Sequence, residues 1–320
     1  MTARLGDLLS RSFSLFLVGP HLRHDALIYE SDDEMVGAVV PYLEAGIASG
    51  APTVAVMNRS NWAMLRDALG PASSQVSYTN CDAFYTRPIK AIAAYDATLR
   101  SHAAAGHQPA RVVGELPWGP TEREWREWTG YEALLNRALA HHDVTVLCTY
   151  NTRVLSDRLV AAAFQTHPQV MDGRHEENVL YEHPEELLRV LAGPAIDVPD
   201  LPSLQLCDDV ATYRERLSSA LAATDVPPAR ALDMLVAATE AFTNALTHGG
   251  GPRSLAAGTV DGWFVCEVSD AGPGLEDPLA GYIPPGQSAG RGSGLWVARQ
   301  LVSRLELIPL EPGLKVRLWL

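Results

Sequence analysis

Between Ala192 and Ser203 the chain reads AGPAIDVPDLPS, and the rhythm of its elements differs on the two sides of that segment. Pro194, Pro199 and Pro202 with no hydrophobic period mark a linker. Before it, from residue 25 to about 190, short β-branched runs alternate with helical patterns. DALIYE, TVAVMN, QVSYT, ARVVGE and VTVLCTY read as strands. Helices are predicted at Asp33–Ala48 (Met35, Val39, Val40 and Leu43 on one side), at Trp62–Leu69, at 88–105 and at 122–142. Strands alternating regularly with helices imply parallel pairing and a layered α/β domain. After the linker the order changes to a helix at 209–223, a second from Pro228 to His248, a β-hairpin turning at Asp261–Gly262, a short helix at 293–304 and a terminal strand pair. That order suggests an α/β sandwich on a mixed or antiparallel sheet. The expected division is 1–191, linker 192–203, and 204–320.

At 320 residues the chain can bury two separate cores. A net charge of −13 argues against a broad nucleic-acid surface, which needs clustered Lys and Arg. No apolar run approaches the about 20 residues of a membrane span. The stretch Phe13–Val18 is too short for a signal peptide and lacks a cleavage site. Cys81, Cys148, Cys207 and Cys266 lie far apart with no CxxC pair, so buried reduced thiols are expected. Together these features place the protein in the cytoplasm.

The second helix after the linker carries an apolar stripe, Leu232, Leu235, Val236 and Phe242. Glu240, Asn244 and His248 fall at i, i+4 and i+8, so their side chains share one face. A carboxylate and an amide one turn apart can hold a divalent ion and a water against phosphates; a solvated polar face is the alternative. Strand WFVCEVSD puts Phe264, Cys266, Val268 and Asp270 at one parity. An Asp ending an inward-facing row needs a partner, and the exocyclic amine of adenine is one. Asp270-x-Gly272-x-Gly274 permits a tight turn and close approach to a planar base. Gly290-Arg291-Gly292-Ser293-Gly294 then opens a helix whose backbone N–H groups can face phosphates. No GxxxxGK[ST] occurs, and these glycines do not follow a strand in a βαβ unit, so Walker and dinucleotide sites are both excluded.

In order and spacing, EAFTNALTH, DAGPG and GRGSGLW resemble the three nucleotide-binding boxes of the GHKL superfamily, and most closely those of anti-sigma-factor serine kinases. The resemblance implies a GHKL (Bergerat) sandwich binding ATP and Mg²⁺. Asn244 would ligand Mg²⁺, Glu240 would act as general base or orient water, and Asp270 would bind adenine. Gly272 and Gly274 would shape the base pocket. Gly290, Gly292 and Gly294 would close over the phosphates, with His248 and Ser293 beside them and 275–289 as a lid. Arg291 would be a phosphate contact or a solvent-facing lid residue.

The reaction implied is transfer of the γ-phosphoryl group to a seryl hydroxyl of a separate anti-anti-sigma (STAS-type) partner, with a sigma factor as second partner. A sensor histidine kinase is the alternative, but neither His175, in a charged loop, nor His183, before Pro184, is followed by a long helical hairpin. A non-catalytic ATP-gated binding module is a third reading, against which Glu240 stands, since binding alone does not need it. Dimerisation is usual in both kinase families.

In the first domain HDALIYESDDE, GELPWGP, YEALLNRAL, LCTYN and THP resemble the MEDS sensory domain over roughly residues 20–185. The resemblance implies a RecA-like α/β domain without its phosphate loop, sensing small molecules such as hydrocarbon derivatives. Glu115, Trp118, Tyr131, Glu132, Cys148 and Tyr150, at predicted strand ends or on the facing helix, are the candidate pocket residues. Packing is the plainer role for Trp118, Trp125, Trp128 and Cys148. His141–His142 suggest a metal only weakly, because favourable charge at a helix end explains them, and no His/Cys/Asp spacing elsewhere supports a metal site.

Overall fold

The computed structural model describes residues 22–106, 109–171, 175–275, 277–285 and 293–320. The first part is built on a seven-stranded sheet, with β1 (Arg23–Tyr29), β2 (Thr53–Met57), β3 (Val76–Asn80), β4 (Ala110–Gly114), β5 (Val144–Asn151), β6 (Gln169–Met171) and β7 (His175–Glu177). The order across it is β3-β2-β4-β5-β1-β6-β7, parallel except for β7. His175, expected in a loop, begins β7.

Helices cover both faces, as parallel sheets require. Alternate strand residues Leu27, Tyr29, Ala55, Met57, Val113 and Leu147 pack under α1 (Asp32–Ala48) and α2 (Arg59–Leu69). The opposite set, Ala26, Val56, Val112, Val146, Cys148 and Tyr150, joins the core formed with α3 (Cys81–Phe84), α4 (Pro88–Ala104), α5 (Glu122–Ala138) and α6 (Asp157–Thr166). A capping box between Thr121 and Glu124 starts α5. α7 (Pro184–Leu191) lies on α5, where Gly130 leaves room for Leu188 and Arg137 pairs with Glu185 at 2.7 Å.

The second part has α8 (Val210–Ala222), α9 (Pro228–His248), β8 (Pro252–Val260), β9 (Trp263–Asp270), α10 (Gly294–Leu301), β10 (Arg304–Leu310) and β11 (Gly313–Trp319). Its sheet is antiparallel in the order β10-β11-β9-β8. The hairpin turns where predicted, and φ of +49° at Asp261 and +83° at Gly262 suits the two-residue loop that right-twisted strands prefer. The apolar stripe of α9 differs from the expected one. Leu232 is exposed, and the buried face is Met234, Ala237, Ala238, Ala241, Phe242 and Ala245. Alanines let the sheet and α10 approach the helix closely, and Phe242 stacks on Tyr213 at 4.2 Å.

The Pro-rich segment lies against this second sheet. Ile196, Val198 and Leu201 pack on Val260, Val265 and Trp319, covering the side the helices leave open. Ile196 N–H donates to Glu306 Oε1 at 3.0 Å, and its carbonyl accepts from Arg317. Val265 is therefore buried although its parity points away from the helices.

The two parts touch through α4. Gln300 Nε2 donates to the carbonyl of Ile89 at 3.0 Å, Arg87 Nη2 to that of Arg299 at 3.0 Å, and Arg100 Nη2 to that of Pro285 at 3.3 Å. Leu279, Tyr282, Ile283 and Trp296 pack on the core beneath. No described helix is long and apolar enough to cross a membrane.

Truncating Phe242 to Ala empties the centre of the second core. It is expected to cost about 3–5 kcal/mol, read as a lowered denaturation midpoint for that domain, whereas Leu232→Ala, on the exposed side of the same helix, should change it by under about 0.5 kcal/mol.

Candidate functional site

The polar face of α9 meets the start of α10. Glu240 and Asn244 are half-buried one turn apart, and His248 is exposed at the helix end. A Cβ built on Gly294, the first residue of α10, would sit 2.6 Å from Glu240 Oε2. The absent side chain thus lets a helix N-terminus rest against a carboxylate, an arrangement the helix dipole favours. Ser293 is exposed at the N-cap position. Gly290, Arg291 and Gly292 lie outside the described residues.

Asp270 closes β9. Its Oδ1 accepts the N–H of Gly272 at 2.9 Å, which fixes the carboxylate in its own turn. Around it the backbone is packed too closely for side chains. A Cβ on Gly272 would lie 2.6 Å from Gly249 Cα and 2.9 Å from the carbonyl oxygen of His248, and one on Gly249 or Gly313 would overlap Asp270 itself. Gly274 needs its glycine for a different reason, a φ of +80°. Gly249 and Gly313 were not singled out from the sequence, although HGGG after the helix and PG before the last strand are visible there. Two close approaches thus lie along the carboxyl-terminal half of α9: Gly294 against Glu240, and Gly249 and Gly272 around Asp270 about two turns further on. Within the expected lid, the stretch 277–285 packs against the first domain.

The predicted sensory residues divide into two groups. Glu115 accepts from the backbone N–H of Asn58 at 3.2 Å, from Asn58 Nδ2 at 2.6 Å and from Asn61 Nδ2 at 2.9 Å. It is occupied in tying the end of β4 to the start of α2. The others lie on the opposite side of the sheet. Tyr131, Glu132, Cys148 and Tyr150 are buried together, and Trp118 is 6.0 Å from the Tyr150 ring, tilted against it. Trp128 packs edge-on to Tyr85 and Tyr131. Two histidines that sequence spacing did not pick out, His24 and His167, complete this group. Burial pushes the Cys148 thiol well up and, aided by His24, pushes the His167 imidazole well down.

His141 and His142 face Asp96 on α4, with His142 Nε2 2.9 Å from Asp96 Oδ1. A carboxylate on a neighbouring helix, rather than the end of their own, accounts for them. Cys81, Cys148 and Cys266 are free and buried and Cys207 half-buried, and burial lifts the Cys81 and Cys266 thiols to about 11 and about 12.

Gly272→Ala must displace Gly249 or Asp270. It is expected to weaken binding of an adenine nucleotide at least about tenfold, or about 1.4 kcal/mol, in a calorimetric titration. Gly37→Ala, with nothing near its added methyl, should leave binding unchanged.

Comparison with known proteins finds two family domains in the chain. A family model described as MEDS, the methanogen/methylotroph, DcmR sensory domain, matches residues 23–168, and one described as a histidine kinase-like ATPase domain matches residues 205–319. Among curated proteins none matches the chain. The chain thus joins a MEDS sensory domain to a histidine kinase-like, ATP-binding ATPase domain.

Proposed function

We propose that the chain is a cytoplasmic bacterial signalling kinase of the anti-sigma type, which phosphorylates a seryl hydroxyl on a separate anti-anti-sigma partner under control of its sensory domain. The observation that carries this reading is the approach of Glu240 to the first residue of α10, about two turns before the end of α9, where Asp270 packs on Gly249. Adenine would be held by Asp270 within its glycine turn and the phosphates by the N-terminus of α10. Asn244, half-buried beside Glu240, fits as a ligand for Mg²⁺, which when bound neutralises phosphate charge. Glu240 accepts the proton of the seryl hydroxyl as its oxygen bonds to the γ-phosphorus. The bridge to the β-phosphate breaks, and ADP leaves.

An acceptor on a separate partner is supported by the described residues, which present no histidine on a long hairpin. His183 caps the short helix α7, and the segment that follows is spent on covering the second sheet. A sigma factor would bind the same domain. Control by the first domain rests on α4, whose Arg87, Ile89 and Arg100 bond to α10 and to the segment before it. A change in the packing of α4 reaches the nucleotide site through those bonds.

Glu240→Gln is expected to bind Mg-ATP as the wild type does while transferring phosphate about 10²–10⁴-fold more slowly. The assay is acid-stable phosphoserine formed on a STAS-type partner. Acid-labile phosphate on the chain itself would identify a histidine kinase instead, and binding of ATP without transfer to any protein would identify a nucleotide-gated binding module.

A further inference from the structure

Four side chains from separate stretches of sequence meet in the first core: His24 on β1, Glu132 on α5, Cys148 on β5 and His167 just after α6. None is more than 5% exposed. One ligand atom from each lies within 4.8 Å of the others. His24 Nε2 is 3.1 Å and His167 Nε2 3.5 Å from Glu132 Oε2, while Cys148 Sγ is 3.4 Å from His24 Nε2 and 3.5 Å from the same carboxylate oxygen.

The partners behind each ring fix where its proton sits. His167 Nδ1 is 2.9 Å from the carbonyl oxygen of Ala163, which can only accept. It is also 2.9 Å from Thr166 Oγ1, whose own proton is given to Ala162 O at 2.8 Å. The proton is therefore on Nδ1, and Nε2 directs a lone pair into the cluster, where it has no hydrogen-bond partner among the described residues. His24 Nδ1 faces Asn136 Oδ1 at 3.2 Å, and that amide is oriented by its Nδ2 donating to Thr166 O at 2.8 Å. His24 too carries its proton on Nδ1. Two imidazole lone pairs, a carboxylate oxygen and a sulfur converge, with one thiol proton among them. A second proton on His24 would pair it with Glu132 and still leave His167 unmatched. The set lacks a cation.

We propose that His24, Glu132, Cys148 and His167 bind one divalent transition-metal ion, with Zn²⁺ the best match. A tetrahedral ion with bonds of about 2.0–2.3 Å holds its ligands about 3.3–3.6 Å apart; four of the six separations are 3.1–3.5 Å and all lie within 4.8 Å. Nitrogen and sulfur donors exclude Mg²⁺ and Ca²⁺. Thiolate and carboxylate balance the charge of a dication, so the buried site is neutral overall. The carbonyl behind His167 and the amide behind His24 are the outer partners that metal-bound histidines require. On binding, the thiol proton is released to solvent, so affinity falls on acidification. The second His-containing cluster, Asp96 with His141 and His142, already has a cation, since Arg100 Nε donates to Asp96 Oδ2 at 2.8 Å. A closed four-ligand site clamps β1, β5, α5 and the end of α6 together.

The test is titration of the intact, metal-stripped chain with Co²⁺, followed by Zn²⁺ displacement and elemental analysis. One equivalent per chain is expected, with a thiolate-to-cobalt charge-transfer band and intense visible bands of tetrahedral Co²⁺, all lost on Zn²⁺ addition. Cys148→Ser should abolish the charge-transfer band, His167→Gln should weaken binding at least tenfold, and Cys207→Ser should change neither. The wild type decides the matter even where a variant fails to fold. No cobalt band from a folded wild-type chain would overturn the proposal, as would a band that survives in Cys148→Ser.

Discussion

A guanidinium buried in a protein must find acceptors, because taking it from water without them costs several kcal/mol or more. Arg299, in the last turn of α10, is 9% exposed and meets that demand with three partners at once. Its Nε donates to the carbonyl of Ala280, its Nη1 to that of Leu305, and its plane lies 3.8 Å from the centre of the Tyr282 ring. One charge thus fixes the segment before the glycine-rich loop to α10 and to the start of β10. Its own carbonyl receives Arg87 from the sensory domain. The face of α9 that carries Glu240 is shaped by where α10 begins, and α10 is positioned by this arginine. The geometry of Glu240 and Gly294 therefore depends on a residue that touches neither.

Much of this was legible in the sequence where local chemistry decides it. Asp261–Gly262 admits few turns other than the one found, and the parity of Phe264, Cys266 and Val268 set the inward face of β9. Helical spacing set Glu240 and Asn244 one turn apart on α9, and strand parity put Asp270 at the end of β9. The failures have a common cause, which is that long-range packing leaves no local period. Leu232 belongs to the exposed side of α9 because the sheet approaches the alanine face. The Pro-rich segment reads as a tether, yet its three apolar residues cover the open side of the second sheet. Gly249 and Gly313 are required by the closeness of Asp270, which only the fold creates.

The cluster in the sensory domain is the extreme case. His24, Glu132, Cys148 and His167 are spread over nearly the whole domain, and no ligand spacing announces them. The sheet order brings β1 beside β5 and β6, and right-handed crossovers place α5 and α6 on the same face. Glu132 and Cys148 are candidate pocket residues in the sequence, as is Glu115, which accepts from Asn58 and Asn61 on the opposite side of the sheet. A strand-terminal acid is informative only once its donors are known.

On the proposed reading, nucleotide binding beside α9 is felt by the sensory domain through α10 and α4. Hydrogen exchange on the intact chain, with and without Mg-ATP, tests it most directly. The account predicts slowed exchange at the carboxyl end of α9 and in 270–274, together with a change in α4 around Arg87–Ala91. Exchange altered in the ATPase domain alone would contradict the coupling, and exchange altered in neither would contradict the nucleotide site itself.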